Sequence, residues 1–353
     1  MRLVGIGDLF IPRKYIEDGF APLSRDGVEV RTLDWELSGF QELQEINLKV
    51  EKGGAAAHEP PESVREAARN ADILVTQFCT VTESLLDAAK NLKAIGVLRA
   101  GTENVDVAAA TRRGIVVLNT PGRNADSVAD FTVGLLLAEA RNICRGHHGL
   151  KEGRWIREYP NSGMIPDLPG KTAGIIGFGE IGRKVAKRLA GFDVRILAYD
   201  PFVTQAPQGV TLVDLPTLMA ESDFVTVHAR LTEETRGLIG AELLARMKRT
   251  AYLINTSRSA LVDESALYEA LAARRIAGAA LDVFDTEPPG RAYPLVALDN
   301  VTVTPHMAGG SNDAFFNCPK LLAAEFRKLL AGGEPRSVVN RPALEGARAR
   351  LSR

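Results

Sequence analysis

The feature that most constrains the fold is an alternation of short apolar runs with helical patterns, repeated in two series along the chain. The first series contains five runs that have the length and the branched side chains of strands, at 3–7, 28–33, 71–76, 92–98 and 115–119. Helical patterns such as 63–70 and 83–89 separate some of these runs. Strands that alternate with helices form parallel sheets, so the first series predicts one parallel α/β layer.

A second series starts at Lys171 and predicts a second sheet of the same kind. Its six strand candidates lie at 173–177, 194–200, 224–229, 251–256, 276–284 and 301–306. A helical pattern begins near Asn124, another covers 313–330, and the residues after it, rich in Gly, Pro and Arg, are predicted to be weakly structured. The chain is therefore predicted to be α/β, with two Rossmann- or flavodoxin-like parallel-sheet domains.

Composition limits the possible partners. With 353 residues the chain is longer than most single cores support, and 43 basic against 44 acidic residues leave a net charge of −1. This balance gives no electrostatic reason to expect nucleic acid or a membrane surface as a partner, so we expect a small ligand. No signal-like apolar run opens the sequence, and three widely spaced cysteines suit a reducing compartment, which predicts a cytoplasmic protein. Cys79, Cys144 and Cys318 lack metal-ligand spacing, so we expect ordinary, half-buried thiols and no metal.

A glycine-rich turn stands at the start of the second series. Gly177, Gly179 and Gly182 fit the pattern G-x-G-x-x-G between a strand candidate and a helical pattern. The first glycine permits a tight turn, the second lets backbone approach a pyrophosphate, and the third lets helix and strand pack closely. A helix N-terminus also favours an anion, so the turn predicts a dinucleotide site. Asp200, at the end of the next strand candidate, would accept bonds from a ribose 2′-hydroxyl and repel a 2′-phosphate, which predicts NAD rather than NADP.

Three polar residues follow later strand candidates, at the ends where ligands bind in open α/β sheets. Arg258 follows the fourth candidate of the second series, Glu287 follows the fifth, and His306 is the last residue of the sixth. Reduction of a 2-oxo acid needs a cation for the carboxylate, a proton donor for the carbonyl oxygen, and a group that orients the donor. The three residue types suit these roles, although spacing alone leaves a solvated surface position as the commoner alternative for each.

Several motifs together resemble those of the D-isomer-specific 2-hydroxyacid dehydrogenases. INTSRSALVDE, LDVFDTEP and TPHMAG occur with the glycine fingerprint in that family's order, and the likeness runs from about residue 71 to residue 308. The family includes the phosphoglycerate dehydrogenases and the glyoxylate and hydroxypyruvate reductases. The resemblance implies an NAD-dependent enzyme that transfers hydride between the nicotinamide and C2 of a small 2-hydroxy or 2-oxo acid.

The resemblance also implies roles for particular residues. It implies that Arg258 binds the substrate carboxylate, that His306 is the catalytic acid–base, and that Glu287 orients the imidazole. The further cofactor contacts that it implies are Glu180, Ile181, His228, Thr256 and Asp282, the last near the nicotinamide carboxamide.

Substrate contacts are implied in the first series of strands. The motif RAGTENVD resembles the family's substrate loop, so Arg99, Ala100 and Gly101 are expected to help bind the carboxylate. Thr76 and Gln77 stand where phosphoglycerate dehydrogenases usually have Arg-Ser. The missing arginine removes a phosphate contact and predicts a non-phosphorylated substrate. The polar pair would suit a hydroxylated acid, such as one derived from a sugar.

The motif NTPGRNADSVADFT resembles the family's crossover into the cofactor domain. It implies an NAD-binding domain of residues 123–306, inserted into a substrate domain of residues 1–122 and 307–353. Cofactor domains of the family commonly pair, which implies a homodimer through that domain.

Other positions depart from the family or carry no predicted chemistry. Ser259 replaces the usual Gly after the arginine, and a small residue there should be tolerated. Arg230 replaces a usual Pro, and lies either near the cofactor or substrate or in solvent. The segment 37–61 is expected to be a peripheral excursion. His58, His147 and His148, which lack acidic or cysteine partners at ligand spacing, are expected at the surface.

Three alternatives remain at this point. Formate dehydrogenases share the fold but usually have Gln where Glu287 stands, so Glu287 counts against that chemistry. The chain could be a phosphoglycerate dehydrogenase with an unusual phosphate pocket. From another class, it could be an NAD-sensing binding protein without turnover, similar to the C-terminal-binding-protein corepressors, although no basic localisation cluster supports that reading.

Overall fold

The computed structural model describes residues 1–351, and these form two compact units. Unit 1 consists of residues 1–123 together with the residues from 311 on, and unit 2 consists of Asn124–Gly310. Unit 2 is therefore inserted into the sequence of unit 1, as the predicted fold class requires. The structural division falls after Arg123 and Gly310, whereas the predicted domain boundaries follow residues 122 and 306.

Parallel strands form the centre of both units. The strands are β1 (Arg2–Gly7), β2 (Glu29–Asp34), β3 (Ile73–Thr76), β4 (Ala94–Val97), β5 (Val116–Asn119), β6 (Thr172–Ile176), β7 (Arg195–Tyr199), β8 (Val210–Leu212), β9 (Phe224–Val227), β10 (Tyr252–Asn255), β11 (Gly278–Leu281) and β12 (Val301–Val303). Unit 1 has the sheet order β2-β1-β3-β4-β5, and unit 2 has the order β12-β11-β10-β9-β6-β7-β8. Every pairing within these two sheets is parallel, which confirms the predicted α/β class.

Helices connect most of the strands and cover both faces of each sheet, whereas β7–β8 and β11–β12 are joined by loops. They are α1 (Arg13–Arg25), α2 (Phe40–Gly53), α3 (Glu62–Ala68), α4 (Glu83–Ala88), α5 (Val107–Arg112), α6 (Ala125–Ala140), α7 (Ile143–Lys151), α8 (Glu180–Leu189), α9 (Leu215–Glu221), α10 (Ala241–Arg246), α11 (Glu264–Ala272), α12 (Asn312–Leu330) and α13 (Leu344–Leu351). Helix crossovers are the normal connection between parallel strands, because such strands cannot be joined by a tight turn.

Successive residues of a strand in unit 1 pack into two different hydrophobic cores, one on each face of the sheet. Leu3 of β1 packs with Phe20 of α1 and Phe326 of α12 on one face of the sheet. Val4, the next residue, packs with Leu43 of α2 on the other face. Successive side chains of a strand point to opposite faces, so a strand between two helical layers must be apolar on both. Unit 1 is thus a three-layer structure with its sheet buried.

The sheet of unit 2 has one strand more than the sequence predicted. β8 pairs with β7 at the edge of the sheet and has only three residues, of which the middle one is exposed. A strand this short and this exposed carries too little apolar pattern to be recognised, so the prediction of six strands was wrong by this one. The six predicted strands are all present.

The C-terminal segment was predicted to be weakly structured, and this prediction was wrong. α13 buries Leu344, Ala347 and Leu351 in the same core as Leu3. Before it, the side chain of Asn340 accepts a hydrogen bond from the backbone N–H of Val117 at 2.7 Å. The sequence pattern did not reveal this helix, because its three buried aliphatic residues stand among many charged ones. They contribute to a core only by packing against the rest of unit 1.

Two further expectations need correction. The segment 37–61 is not merely peripheral, because α2 buries Leu43, Ile46 and Val50 in the core of unit 1. His58 is half-buried against the ring of Trp35, with 5.9 Å between centroids, so it is not a surface residue. The expectation held for His147 and His148, which are exposed, although His148 does have an acidic partner in Glu152 at 3.1 Å.

Cysteines, metal sites and membrane spans complete the description. All three cysteines are free, but Cys79 and Cys318 are buried and Cys144 is exposed, rather than all half-buried. Within residues 1–351 there is no group of three or more His, Cys, Asp or Glu side chains that could hold a metal ion. None of the helices in that range has the length and apolar character needed to cross a membrane.

Candidate active site

His306 and Glu287 form a direct pair in unit 2. The Nδ1 atom of His306 lies 2.7 Å from Oε2 of Glu287, and the other carboxylate oxygen accepts the backbone N–H of Phe284 at 3.1 Å. Glu287 follows β11 and His306 follows the adjacent strand β12, so parallel pairing brings both loops to the carboxyl edge of the sheet. About half of the His306 side chain is exposed, which leaves it accessible to a ligand.

Asp282 holds the loop that carries His306. One of its carboxylate oxygens accepts bonds from the hydroxyl of Thr304 at 2.6 Å and from the N–H of Met307 at 3.0 Å, and the other accepts the N–H of Ala308 at 2.8 Å. The side chain is fully buried. The resemblance implied a place near the nicotinamide carboxamide. In the structure, these three hydrogen bonds hold the loop on either side of His306.

Arg258 lies after β10, the strand next to β11. It is exposed, and its guanidinium donates one hydrogen bond, to the carbonyl of its neighbour Ser257 at 2.8 Å. The side-chain amide of Asn255 fixes the loop by donating to the carbonyl of Arg258 at 2.9 Å. Within residues 1–351 no hydrogen bond or ion pair joins Arg258 to Glu287 or His306. Most N–H donors of the Arg258 guanidinium are therefore available to bind a carboxylate.

The glycine fingerprint has the geometry that a dinucleotide needs. Gly177 has φ +88°, and a Cβ atom there would lie 2.4 Å from the backbone nitrogen of Ala229. A Cβ atom on Gly182 would lie 2.2 Å from the carbonyl oxygen of Gly177, so helix α8 could not pack as closely on the turn. A Cβ atom on Gly179 would have no heavy atom within 4 Å. The turn is thus tight on its protein side and open at Gly179, which suits a bound pyrophosphate.

The fingerprint also lies at the switch point of its sheet. β6, the strand before it, pairs with β7 on one side and β9 on the other, so the chain direction across the sheet reverses there. Asp200 follows β7 and is half-buried. One of its carboxylate oxygens accepts the N–H of Phe178 at 2.8 Å, and the other accepts the N–H of Phe202 at 2.9 Å. Each oxygen retains a second lone pair that can accept a ribose hydroxyl.

The remaining cofactor candidates lie at the same edge of the sheet of unit 2. Glu180 and Ile181 are the first two residues of α8, one exposed and one half-buried. His228 follows β9, its Nε2 atom lies 2.8 Å from the hydroxyl of Thr226, and its Nδ1 atom is buried without a partner. Burial lowers the pKa of His228 to about 3, so its imidazole is neutral at any ordinary pH. Thr256, after β10, is buried and bonded to the hydroxyl of Thr132 at 2.8 Å.

Thr76 and Gln77 lie where β3 ends in unit 1, and both are fully buried. The hydroxyl of Thr76 donates to the carbonyl of Cys79 at 3.0 Å. The Gln77 amide has neither a donor nor an acceptor for its two polar atoms in residues 1–351. A buried amide without partners is uncommon in native proteins and is often satisfied by water or a ligand.

In the predicted substrate loop, the side chain of Arg99 is hydrogen-bonded within the protein, whereas two backbone N–H groups are free. The guanidinium of Arg99 is bonded to Asn47 at 2.9 Å, to Glu103 at 3.0 Å and to Glu51 at 3.3 Å, so its charge is already paired. The N–H groups of Ala100 and Gly101 donate to no other group of residues 1–351. The loop therefore offers backbone donors rather than the arginine side chain.

Two polar residues of unit 1 were not singled out from the sequence. Asp8 follows β1, is 5% exposed, and has one carboxylate oxygen buried without a partner. Arg123 is half-buried, stacks on the ring of Phe315, and also has a buried nitrogen without a partner. Asp8 could have been noticed as an acid at the end of a strand candidate. Arg123 could not have been noticed, because its burial depends on packing.

Arg230 is exposed, which favours the solvated alternative considered for it, and the hydroxyl of Thr235 donates to its carbonyl.

Comparison with known proteins defines the class. Residues 133–308 match the family described as D-isomer specific 2-hydroxyacid dehydrogenase, NAD binding domain. The chain is 42% identical to the glyoxylate reductase of Thermofilum pendens over 81% of this chain and 87% of that protein. It is 44% identical to the D-3-phosphoglycerate dehydrogenase of Archaeoglobus fulgidus over 80% of this chain, but the aligned region is only 54% of that relative. The chain thus spans about half the length of that relative.

A solved structure shows the same fold. The 2-hydroxyacid dehydrogenase of Ketogulonicigenium vulgare superposes with a TM-score of 0.70 at 28% identity, covering 96% of this chain and 98% of that one. Fold, glycine fingerprint and matches agree on one class, the α/β proteins with a dinucleotide-binding domain. Within that class, the chain belongs to the D-isomer specific 2-hydroxyacid dehydrogenase family. The match to the NAD-binding domain confirms the predicted cofactor, and the turn at Gly177–Gly182 fits it.

Proposed function

We propose that this protein is an NAD-dependent dehydrogenase that interconverts a small 2-oxo acid and its D-2-hydroxy acid. The observation that carries the proposal is the His306–Glu287 pair, at 2.7 Å, on the sheet that also bears the glycine fingerprint. An imidazole held by a carboxylate is a suitable proton donor and acceptor near neutral pH.

NAD, when bound, supplies or accepts the hydride at C2 of the substrate. Because Nδ1 of His306 faces Glu287, the Nε2 atom is the one left to donate a proton to the C2 oxygen during reduction. In the reverse direction the neutral imidazole accepts that proton. Glu287 fixes the orientation of the ring and stabilises its charged form.

The substrate carboxylate is bound by cationic and backbone donors. The mostly free guanidinium of Arg258 can form a bidentate pair with it. In unit 1, the N–H groups of Ala100 and Gly101, which donate to no other group of residues 1–351, are proposed as donors to a substrate carboxylate. We assign NAD binding to residues 123–306 and substrate binding to residues 1–122 and 307–353.

We propose that the substrate is not phosphorylated. Thr76 and Gln77 provide no positive charge at the end of β3, and Arg99 is already paired with carboxylates. A phosphate dianion would therefore meet no free cation from Thr76, Gln77 or the side chain of Arg99. Relatives with both names, phosphoglycerate dehydrogenase and glyoxylate reductase, resemble this chain, so a phosphorylated substrate is the competing proposal.

We also propose a cytoplasmic location, with which the three free cysteines are consistent. A further proposal is a homodimer formed through unit 2. The support is a set of exposed apolar side chains on α7 and the residues after it, namely Ile143, Leu150, Trp155, Ile156 and Ile165, with Trp155 80% exposed. We expect sedimentation equilibrium to give twice the chain mass for the wild type and the single-chain mass for Trp155→Asp. A monomeric wild type would contradict the proposal.

The test of the activity follows NADH absorbance while glyoxylate, hydroxypyruvate, phosphohydroxypyruvate and sugar-derived 2-oxo acids are offered in turn. We expect oxidation of NADH with at least one non-phosphorylated acid, and a lower kcat/KM for phosphohydroxypyruvate. A preference for the phosphorylated acid would favour a phosphoglycerate dehydrogenase. Confirmed NADH binding without any turnover would contradict the dehydrogenase and favour the NAD-sensing alternative.

A further inference from the structure

The segment that carries Glu287 has little regular structure to hold it. Residues 282–300 join β11 to β12, and this described segment contains neither a helix nor a strand. Phe284 and Leu295 are buried in a core of unit 2, whereas the stretch 285–292 between them is mostly exposed. Glu287 lies in this exposed stretch. The orientation of its carboxylate therefore depends on the contacts that hold the backbone on either side of it.

Two carboxylates share the N–H groups where the exposed stretch begins. The N–H of Phe284 donates to Oε1 of Glu287 at 3.1 Å, and the next N–H, that of Asp285, donates to Oε1 of Glu264 at 3.0 Å. A peptide group is planar, so a hydrogen bond to its N–H fixes the orientation of the whole group. Glu264 thus orients the backbone two residues before Glu287.

Tyr293 joins the same contact from the other end of the exposed stretch. Its hydroxyl donates to Oε2 of Glu264 and accepts the N–H of Asp285 at 3.1 Å. Its ring packs edge-on against the buried ring of Phe284, with 5.7 Å between centroids. The two ends of the exposed stretch therefore meet at one carboxylate, and Glu287 lies in the loop that they close.

Glu264 is itself fixed by the helix that follows the Arg258 segment. It is the first residue of α11, and the preceding residue, Asp263, caps that helix by accepting the N–H of Ala266 at 3.0 Å. The Glu264 side chain is half-buried. Burial raises the pKa of its carboxyl, and the two hydrogen bonds that it accepts from the loop oppose that rise. One carboxylate thus connects the segment after β10 with the loop after β11.

We propose that Glu264 and Tyr293 are positioning residues, which hold the loop at Asp285 and thereby keep the Glu287 carboxylate against His306. The inference rests on the proposed dehydrogenase function, because it concerns the proton donor of that reaction. Within residues 1–351 neither side chain bonds to His306, so both act through Glu287. Without them the loop changes its orientation, the imidazole loses its carboxylate, and turnover falls while NADH binding does not.

The first experiment measures kcat with the oxo acid that the wild type reduces fastest. Glu264→Ala removes both acceptors and should lower kcat at least about tenfold, with the Kd for NADH unchanged. Glu264→Gln retains an oxygen for the N–H of Asp285 and should recover most of this loss, and Tyr293→Phe should give a kcat between these two. Glu269→Ala and Tyr268→Phe, at exposed positions of α11, are the matched controls and should leave kcat unchanged.

A double-mutant cycle tests whether Glu264 acts through Glu287. If it does, adding Glu264→Ala to a Glu287→Ala variant should lower kcat by less than about twofold, because the contact that it supports is already lost. The same loss in both backgrounds would overturn the proposal. So would a rise in the Kd for NADH that accompanies the fall in kcat, since a merely structural role disturbs binding as well.

A spectroscopic measurement separates failure of this inference from failure of the proposed function. The nitrogen NMR signal of Nδ1 of His306, assigned by its absence in His306→Ala, reports the contact with Glu287 without any turnover. In Glu264→Ala we expect this signal to move toward its position in Glu287→Ala, whereas Glu269→Ala should keep the wild-type position. If no oxo acid is turned over but the signal moves, the proposed activity is wrong and the positioning role stands. If turnover is found but the signal does not move, the activity stands and the positioning role is wrong.

Discussion

His306 has a backbone conformation that non-glycine residues seldom adopt. Its φ is +49°, in the left-handed region, which costs on the order of 1 kcal/mol. Three hydrogen bonds to Asp282 from residues on either side of His306 hold the loop in place. Strain of this kind persists where the surroundings over-determine it, and it is common at active sites. The loop therefore places the imidazole against Glu287 at a small cost in stability.

At this scale the first prediction concerns His306. Replacement by alanine removes the proposed proton donor but no part of the glycine turn, so His306→Ala should lower kcat by about 10²–10⁴. The Kd for NADH, measured by fluorescence titration, should stay at the wild-type value. His147→Ala, at an exposed histidine of unit 2, is the control. Equal losses of NADH binding and turnover would contradict the catalytic role.

A second residue prediction concerns the choice of cofactor. Asp200→Asn keeps an oxygen acceptor for the N–H of Phe178 but removes the charge that would repel a 2′-phosphate. We expect the kcat/KM ratio of NADPH over NADH to rise roughly tenfold, equivalent to about 1.4 kcal/mol. Asp193→Asn, which changes an exposed aspartate of unit 2, should not alter that ratio. If Asp200→Asn has no effect, the carboxylate does not meet the ribose.

Among the elements, α13 and the segment before it show how a polar residue can fix the packing of a helix. The buried amide of Asn340 accepts from Val117 and donates to the carbonyl of Ile115 and the hydroxyl of Thr111, both at 2.8 Å. These bonds attach the segment to the edge strand β5, and α13 then covers the core with its buried side chains. The edge of the sheet is thereby protected from unwanted pairing.

This attachment predicts a large effect on stability. Asn340→Ala would leave the N–H of Val117 and the carbonyl of Ile115 buried without partners, and we expect it to lower the free energy of unfolding by about 3 kcal/mol. Urea denaturation followed by circular dichroism measures the change. Asn317→Ala, an exposed asparagine of α12, should differ from the wild type by less than about 0.5 kcal/mol. Similar midpoints for both variants would contradict this account.

For the whole molecule, the buried carboxyl of Asp8 makes stability depend on pH. Its pKa is raised from 3.8 to about 6, so the folded state binds the proton more tightly than the unfolded state. The free energy of unfolding should therefore fall as pH rises from about 4 to about 6, by up to about 3 kcal/mol. Asp8→Asn cannot ionise and should lack this fall.

The measurement compares wild type and Asp8→Asn by chemical denaturation at several pH values from 4 to 7, following the transition that unfolds unit 1. The stability advantage of the variant should grow with pH and level off above pH 6. A difference that stays constant across that range would show that Asp8 titrates at its ordinary pKa in the folded protein.

The sequence by itself determined the architecture and the cofactor. Strands in a parallel sheet are apolar on both faces, so the runs that form β1 and β6 are visible as apolar segments without any structure. The fingerprint Gly177–Gly182 is equally local, since each glycine is required by the turn itself or by the helix that follows. Motif order added the family and the three candidates Arg258, Glu287 and His306.

Only the tertiary structure decided which polar groups are paired and which are free. His306 and Glu287 are 19 positions apart, and the pairing of β11 with β12 brings their loops together. Arg99, expected to meet the substrate, is paired with acids of a distant helix and of its own loop. The Nη1 atom of Arg123, a residue that no local pattern marks, is buried without a hydrogen-bond partner. Hydrogen bonds and burial between distant residues depend on the packing of the whole unit, so neither spacing nor composition can reveal them.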